Sequence, residues 1–335
     1  MLPDANISRK RCERDATAGK FFHSLVDYRN NLFTSSTPDD IIKFYESFQT
    51  RDDLIGWMKE RPKGAAYIHE VEGTKDIVVV IPTADFNGKY AKECRENIFK
   101  GLHIIFVESG EVPDPYFNYA HNCNIGIRKA MEYDPKWIVV SNDDNEKVDS
   151  VEDLREALEI GSRNAEGVLF SLPIRKFDDT YALVSKRTLR RNALVILSGK
   201  HERKRLALEK KFGIDYVIGS DFLPYRFFYI RRYRLRGIGN FAIFSTEILR
   251  SRQEILFDET YINGGEDIDL SWHLIQSGSR WGFLNYRIGN IGGATLGPYN
   301  IKRKMRGLLN DCYLNYKIEK REITMESIDS ATNLA

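Results

Sequence analysis

Apolar positions fall into two regimes along the chain. Before residue 65 they recur at helical spacing. Ile41, Phe44, Tyr45 and Phe48 stand at i, i+3, i+4 and i+7 behind a start signal of Thr37, Pro38, Asp39 and Asp40. Thr50 and Asp53 open a second such stretch through Leu54, Trp57 and Met58, which Arg61-Pro62-Lys63-Gly64 ends. The first 70 residues therefore read as helices, an accessory layer that needs a surface to pack against. At Asp76 the pattern changes to short, unbroken β-branched runs: Ile77–Ile81, His103–Val107 and Trp137–Val140. Helical stretches separate them, one through Ala91, Cys94 and Ile98 with Gly101 as its stop, one through Ile127, Ala130 and Met131. Ser150 and Asp153 open a further helix (Leu154, Ala157, Leu158) that Gly161 closes, and Gly167–Leu172 reads as a fourth strand. Fully apolar strands alternating with helices predict an α/β fold, a mostly parallel central sheet with helices on both faces.

Composition narrows the class. With 335 residues, 42% hydrophobic and 29% charged, the chain is ordinary for a globular protein and carries no low-complexity tract or internal repeat. No apolar run approaches the ~18–20 residues of a membrane span. The opening MLPDANISRKRCERD has no apolar core, so no secretory signal is expected. Four cysteines lie far apart with no CxxC pair, which argues against structural zinc and fits reduced thiols in a cytoplasmic setting. Net charge is only +2, but residues 175–236 hold 17 Lys and Arg against 6 Asp and Glu. That local excess points either to an anionic ligand or surface, or to solvated helix faces.

Ligands of open α/β sheets bind beyond the carboxyl ends of the strands. Here those ends read Pro82-Thr83-Ala84-Asp85, Glu108-Ser109-Gly110 and Ser141-Asn142-Asp143-Asp144-Asn145. An acid at a strand end is commonly a cap for the next helix, and Asp85 alone fits that role. Three polar ends on consecutive strands are harder to assign to capping. No GxGxxG follows the first strand and no GxxxxGK[ST] occurs, so dinucleotide and P-loop enzymes are disfavoured. Adjacent Asp143 and Asp144 offer hard oxygen ligands for Mg²⁺ or Mn²⁺ bridging to a diphosphate; the alternative is a solvated acidic turn. A second constellation spans Phe257–Leu270, where Gly264-Gly265 turns the backbone and Glu266-Asp267 open a helix. Acids there serve as dipole partners, or as a base for an incoming hydroxyl.

Six segments in this order resemble the GT-A glycosyltransferases, in particular the large inverting family 2. They are IVVVIPT (77–83), IIFVES (104–109), NCNIGIRKA (122–130), WIVVSNDD (137–144), FAIFSTEIL (241–249) and FDETYINGGEDIDLSWHLIQSG (257–278). The resemblance runs from about Asp76 to Gly293 and implies a catalytic domain over 73–300. Within it, 73–174 would be the nucleotide-binding half, 175–236 a basic insertion and 237–300 the acceptor half. Residues 1–72 would be an N-terminal helical extension and 301–335 a C-terminal tail. The resemblance further implies donor contacts from Pro82, Thr83, Asp85, Glu108, Asn124, Asn142 and Asp143. It implies Asp144 as metal ligand for Mn²⁺ or Mg²⁺, Asp267 as catalytic base and Glu266 as its acceptor-shaping neighbour. Asn142 replaces the first acid of the family's DxD, Cys123 replaces an arginine before Asn124, and no histidine follows His273. The stretch 192–220 exceeds the family's minimal core and reads as an inserted βαβ element.

The expected activity is sugar transfer from a nucleotide-diphosphate donor to a glycan or lipid-linked acceptor. Two rivals stand beside it. One is a sugar-phosphate nucleotidyltransferase, whose glycine-rich loop with a basic residue is not supplied by TADFNG (83–88). The other is a catalytically silent sugar-nucleotide-binding protein. Residues 221–236 interleave five arginines with aromatics. That pattern has three readings: a packed strand, nucleic-acid binding (disfavoured by the net acidic remainder), or a peripheral contact with an anionic acceptor at the inner face of a membrane.

Overall fold

A computed structural model describes residues 32, 37–110, 114–161, 167–170, 180–185, 199–220, 232–236, 240–251, 256–277, 281–291 and 301–320. Two helices come first, α1 (Pro38–Glu46) and α2 (Arg51–Glu60). Thr37 accepts the Asp40 N–H to cap α1, and Thr50 and Asp53 form a reciprocal capping box on α2, a device worth about 1 kcal/mol. There follow β1 (Ala66–Val71), β2 (Thr74–Thr83), α3 (Lys89–Glu93) prolonged by a π-helical turn over Cys94–Ile98, and β3 (Leu102–Ser109). Next come α4 (Tyr119–Met131), β4 (Trp137–Ser141), β5 (Asn145–Lys147), α5 (Val151–Gly161) and β6 (Val168–Phe170). A second group comprises β7 (Thr180–Ser185), α6 (Lys200–Lys211), β8 (Tyr216–Ser220) and β9 (Arg232–Arg236). The chain returns through β10 (Phe241–Ser245), α7 (Thr246–Ser251), α8 (Glu266–Gln276), β11 (Trp281–Phe283) and β12 (Ile288–Asn290), then α9 (Ile301–Arg306) and α10 (Leu308–Glu319).

The main sheet has the order β1-β3-β2-β4-β10-β6-β11. β3, β2, β4, β6 and β11 share one direction, while β1 and β10 run against it. The fold is therefore α/β with a mixed sheet that is parallel at its centre. Alternate strand residues part to the two faces. Val79, Ile81, Phe106, Val139 and Ile243 meet α3, its π turn and α5. Val78, Val80, Ile105, Val140 and Phe244 meet α4, α7 and α8. Two small sheets complete the molecule, β12 with β5, and β8-β7-β9.

Two expectations change. Ala66–Val71 is a strand although the first 70 residues read as helices. It is an edge strand of mixed exposure, held by its ladder to β3 and by polar cross-strand pairs, so it has no apolar periodicity to betray it. Of the predicted tail, residues 301–319 form α9 and α10, built into a core with α1, α2 and α6 through Phe44, Tyr45, Leu208, Met305, Leu309 and Cys312. The Tyr45 hydroxyl, fully buried, donates to Met305 O at 2.7 Å and accepts Leu309 N at 3.0 Å. The helices expected as an accessory layer thus find their partners at the other end of the chain. The expected βαβ element at 192–220 is described only from residue 199: α6 and β8 stand in the places of its helix and second strand, and β8 joins β7 and β9 in a three-stranded antiparallel sheet. The apolar run at 193–197, and residues 221–231 of the arginine–aromatic stretch, lie outside the described residues; 232–236 is strand β9. Among the described residues no helix is long and apolar enough to cross a membrane.

Candidate functional site

The carboxyl ends of β2, β3 and β4 converge as the strand pattern requires. β4 pairs with β2 only as far as Val80↔Val140, so buried Pro82, which has no N–H to give, sits where the strands part. Thr83 pairs in register with Glu108 on β3. Its hydroxyl donates to Asp143 Oδ2 at 2.8 Å across to the β4 loop and accepts Asp85 N at 3.3 Å. Asp85 is exposed and caps its own turn, Oδ1 accepting Asn87 N at 2.9 Å. Glu108 Oε1 accepts Phe86 N at 2.9 Å, and Oε2 lies 2.7 Å from His69 Nε2 on β1.

The loop after β4 is fixed by amides that no sequence pattern marked. Asn145 Nδ2 donates to Ser141 Oγ (2.7 Å), Asn142 O (3.2 Å) and Asn240 O (3.1 Å), and Asn240 Nδ2 returns a bond to Asn145 Oδ1 at 2.5 Å. Asn142 N donates to Asn240 O, and Ile291 N, just after β12, to Asp144 O. This clamp leaves Asp144 buried and Asp143 half-buried side by side. Burial holds the Asp143 carboxyl above its ordinary value; the Thr83 bond opposes that shift and the Asp144 charge adds to it. Among the described residues neither acid has a Lys or Arg ion-pair partner. Two adjacent, half-desolvated carboxylates with no counter-charge are suited to a hard cation. No group of three or more His, Cys, Asp and Glu is arranged for a metal among the described residues, so these two acids would form a partial ligand set.

The Glu266–Asp267 pair lies at the start of α8. Asn263, Gly264 and Gly265 have φ of 52°, 155° and 94°, a left-handed run that only asparagine and glycine enter cheaply. A side chain at Gly265 would also stand 3.0 Å from the Tyr261 ring. Glu266, buried, accepts Gly264 N at 2.7 Å; burial first and the Asp267 charge second push its carboxyl up to about 8. Asp267 is half-buried and accepts Ile268 N at 2.8 Å. Tyr119 links the two constellations. Its hydroxyl donates to Asn142 Oδ1 at 3.1 Å, and its acidity is suppressed by burial, then Cys123, then the charges of Glu266 and Asp267.

Distant segments hold this turn. Asn310 on α10 brackets Ile262, donating to its carbonyl at 2.9 Å and accepting its N–H at 3.0 Å. Asn118 donates to Glu259 O and Tyr261 O, both at 2.9 Å, and Tyr119 N donates to Asn263 Oδ1 at 3.0 Å. Lys317, buried on α10, sits 3.2 Å from Asp258 and 2.7 Å from Asp269. Neither Asn310 nor Lys317 stands out in the sequence, because α10 also carries Asp311, Asn315 and Glu319 and only the fold shows which polar groups are buried.

Asn124 is placed differently from its expected donor contact. Its carbonyl accepts Leu256 N and Phe257 N, and its amide donates to Phe257 O and Glu259 Oε1. That uses its full hydrogen-bonding capacity, so the side chain ties α4 to the 256–259 loop and has none left for a donor. Gly126 lets α4 approach β2, since a side chain there would meet Val80 at 2.3 Å. Cys123 is buried beside Tyr119 and its thiol is pushed well up by that burial. A separate cleft of about 500 Å³, lined by Asp258, Asp269, His273 and Lys317 among others, includes none of the expected donor residues. The stretch 289–297, where the resemblance would place a histidine metal ligand and the chain has none, is described only through Ile291. No family model matches the chain, and no characterised protein matches it at a significant level.

Proposed function

We propose that the chain is an inverting, metal-dependent glycosyltransferase of GT-A fold, moving a sugar from a nucleotide-diphosphate donor to a hydroxyl of a glycan or lipid-linked acceptor. The observation that carries this reading is the uncompensated Asp143–Asp144 pair at the carboxyl end of β4, joined through Asn142 and Tyr119 to the Glu266–Asp267 turn. Asp144, with Asp143 beside it, would hold Mn²⁺ or Mg²⁺ through carboxylate oxygens, the donor's phosphates completing the set. Such a cation neutralises charge on the departing diphosphate. Thr83 orients Asp143, and the Asn145–Asn240 clamp keeps the loop from relaxing around its acids. Asp267 takes the acceptor's proton as that oxygen bonds to the anomeric carbon and the bond from that carbon to the diphosphate breaks. Attack from the face opposite the leaving group inverts the centre. Glu266, kept protonated by burial, holds the Gly264 turn and leaves the base role to its neighbour.

The test is turnover of a panel of nucleotide sugars with Mn²⁺, read as release of nucleoside diphosphate. Asp267→Asn should slow kcat by about 10²- to 10⁴-fold with donor affinity unchanged. Normal turnover in Asp267→Asn with a dead Glu266→Gln would exchange the two roles. Donor binding without any turnover in the wild type would leave a silent binding protein.

A further inference from the structure

The edge strand β1 places two rings at the end of the donor-side strands. Tyr67 lies opposite Glu108, and His69 opposite Phe106, in antiparallel register. Both side chains therefore rise on the same face as Glu108. The imidazole of His69 lies flat on the Phe86 ring, centres 4.4 Å apart at 8°, while its Nε2 holds Glu108 Oε2 at 2.7 Å. Arg95 adds a guanidinium 4.8 Å from the Phe86 centre and donates to Phe86 O at 2.6 Å. Phe86 thus covers one face of His69, yet 34% of that side chain is open to solvent, and Tyr67 is 57% exposed.

We propose that the free face of His69, with Tyr67 beside it, is the stacking platform for the planar base of the nucleotide donor, an inference that rests on the donor reading above. An aromatic stack with an open end, beside a carboxylate that only accepts hydrogen bonds, suits a flat heterocycle carrying N–H groups. Residues two apart on a strand are separated by about 6.6–6.8 Å, which leaves room for one ring between their side chains. The platform is also wired to the rest of the site. Phe86 N donates to Glu108, Asp85 N to Thr83, and Thr83 to Asp143, so one line of contacts runs from the base end of the donor to its diphosphate end. Stacking tolerates any base, so the platform supplies affinity for the nucleoside moiety and leaves selection among bases to edge contacts.

Calorimetric binding to the full chain in Mn²⁺ tests this, with UDP, GDP, CDP and ADP set against inorganic pyrophosphate, which has no base. His69→Ala should weaken the best-bound nucleoside diphosphate about 5- to 150-fold, the range for one stacked base, and leave pyrophosphate within about twofold. Tyr67→Ala should give a smaller loss in the same direction. His69→Phe, which keeps a ring but not the Glu108 bond, should return to within about threefold of wild type. If both alanine variants bind the nucleotide as wild type does, or if pyrophosphate affinity falls in step with it, the platform is overturned and the donor reading survives. If the wild type binds neither nucleoside diphosphates nor pyrophosphate, the donor reading falls first and this inference with it.

Discussion

Two pairs of neighbouring acids define the candidate site, and their settings differ. Asp143–Asp144 sits in a loop clamped by amides, with a threonine hydroxyl on one carboxylate and no cation on either among the described residues. Glu266–Asp267 opens a helix whose next acid, Asp269, is buried against Lys317 and the Tyr261 hydroxyl. The first region holds its backbone rigid and leaves its charge uncompensated. In the second, Glu266 and Asp267 accept N–H groups of their own turn, while Asp258 and Asp269 beside it are paired with Lys317, on a helix far away in sequence. A rigid frame around an unsatisfied charge is the arrangement of a ligand site, because folding alone is better served by removing the charge. A satisfied polar frame around a helix start is the arrangement of a positioning device.

The sharpest way to break this comparison is Asp144→Ala. On the donor side it should cost turnover by more than about 10³-fold, the loss expected when electrostatic stabilisation of the leaving group goes, together with the cation-dependent part of nucleotide affinity. It should leave thermal stability unchanged or slightly raised, since it relieves repulsion on Asp143. Calorimetry with and without chelator, beside a melting curve, reads both. Wild-type nucleotide affinity that is identical in chelator would remove the donor-side assignment.

The second experiment moves to the acceptor side and expects the opposite pattern. Lys317→Met strands Asp258 and Asp269, the latter buried, and removing one partner of a buried pair costs about 3–5 kcal/mol. Denaturant unfolding should show that loss, and Asp269→Asn in the same background should recover part of it. A change below about 1 kcal/mol would mean that the frame is not what holds the turn.

The contrast also explains what the sequence made legible. β2, β3 and β4 announce themselves because each is buried on both faces and reads as an unbroken apolar run, and their polar ends follow directly. The Asp143–Asp144 pair is adjacent in sequence, as is Glu266–Asp267. What stayed hidden is whatever joins distant segments: Asn240 with Asn145, 95 residues apart, Asn310 with Ile262, 48 apart, and Lys317 with Asp258, 59 apart. Periodicity along one stretch of chain says nothing about such bonds. α10 stayed hidden for a related reason: it is buried around much of its circumference, so no stripe separates from a polar face. Strand β1 stayed hidden for another reason: both of its faces mix apolar and polar residues, so no alternation separates them. Residue chemistry transferred from a motif is weakest where the fold has found local work for it, and Asn124 shows this, its amide spent on tying α4 to the next loop.

The smallest expected effect is a pH dependence on the acceptor side. Burial and the Asp267 charge push the Glu266 carboxyl up to about 8, against an ordinary glutamate value of 4.5. Between those values the folded chain keeps a proton that the unfolded chain releases, so stability falls as pH rises. The stabilising effect of that proton is complete below the ordinary value and is lost as pH climbs through the raised one. Glu266→Gln is neutral throughout and should erase this slope. At pH 5 the two proteins should unfold at similar denaturant concentrations. By pH 8.5 the variant should be the more stable by at least about 1 kcal/mol, which corresponds to less than a tenfold difference in proton affinity. Asp143 is displaced in the same direction and stays in both proteins, so the difference between their curves reports the Glu266–Asp267 pair. Parallel unfolding curves across that pH range would show that Glu266 is already ionised in the folded chain, and would return it to contention as the base.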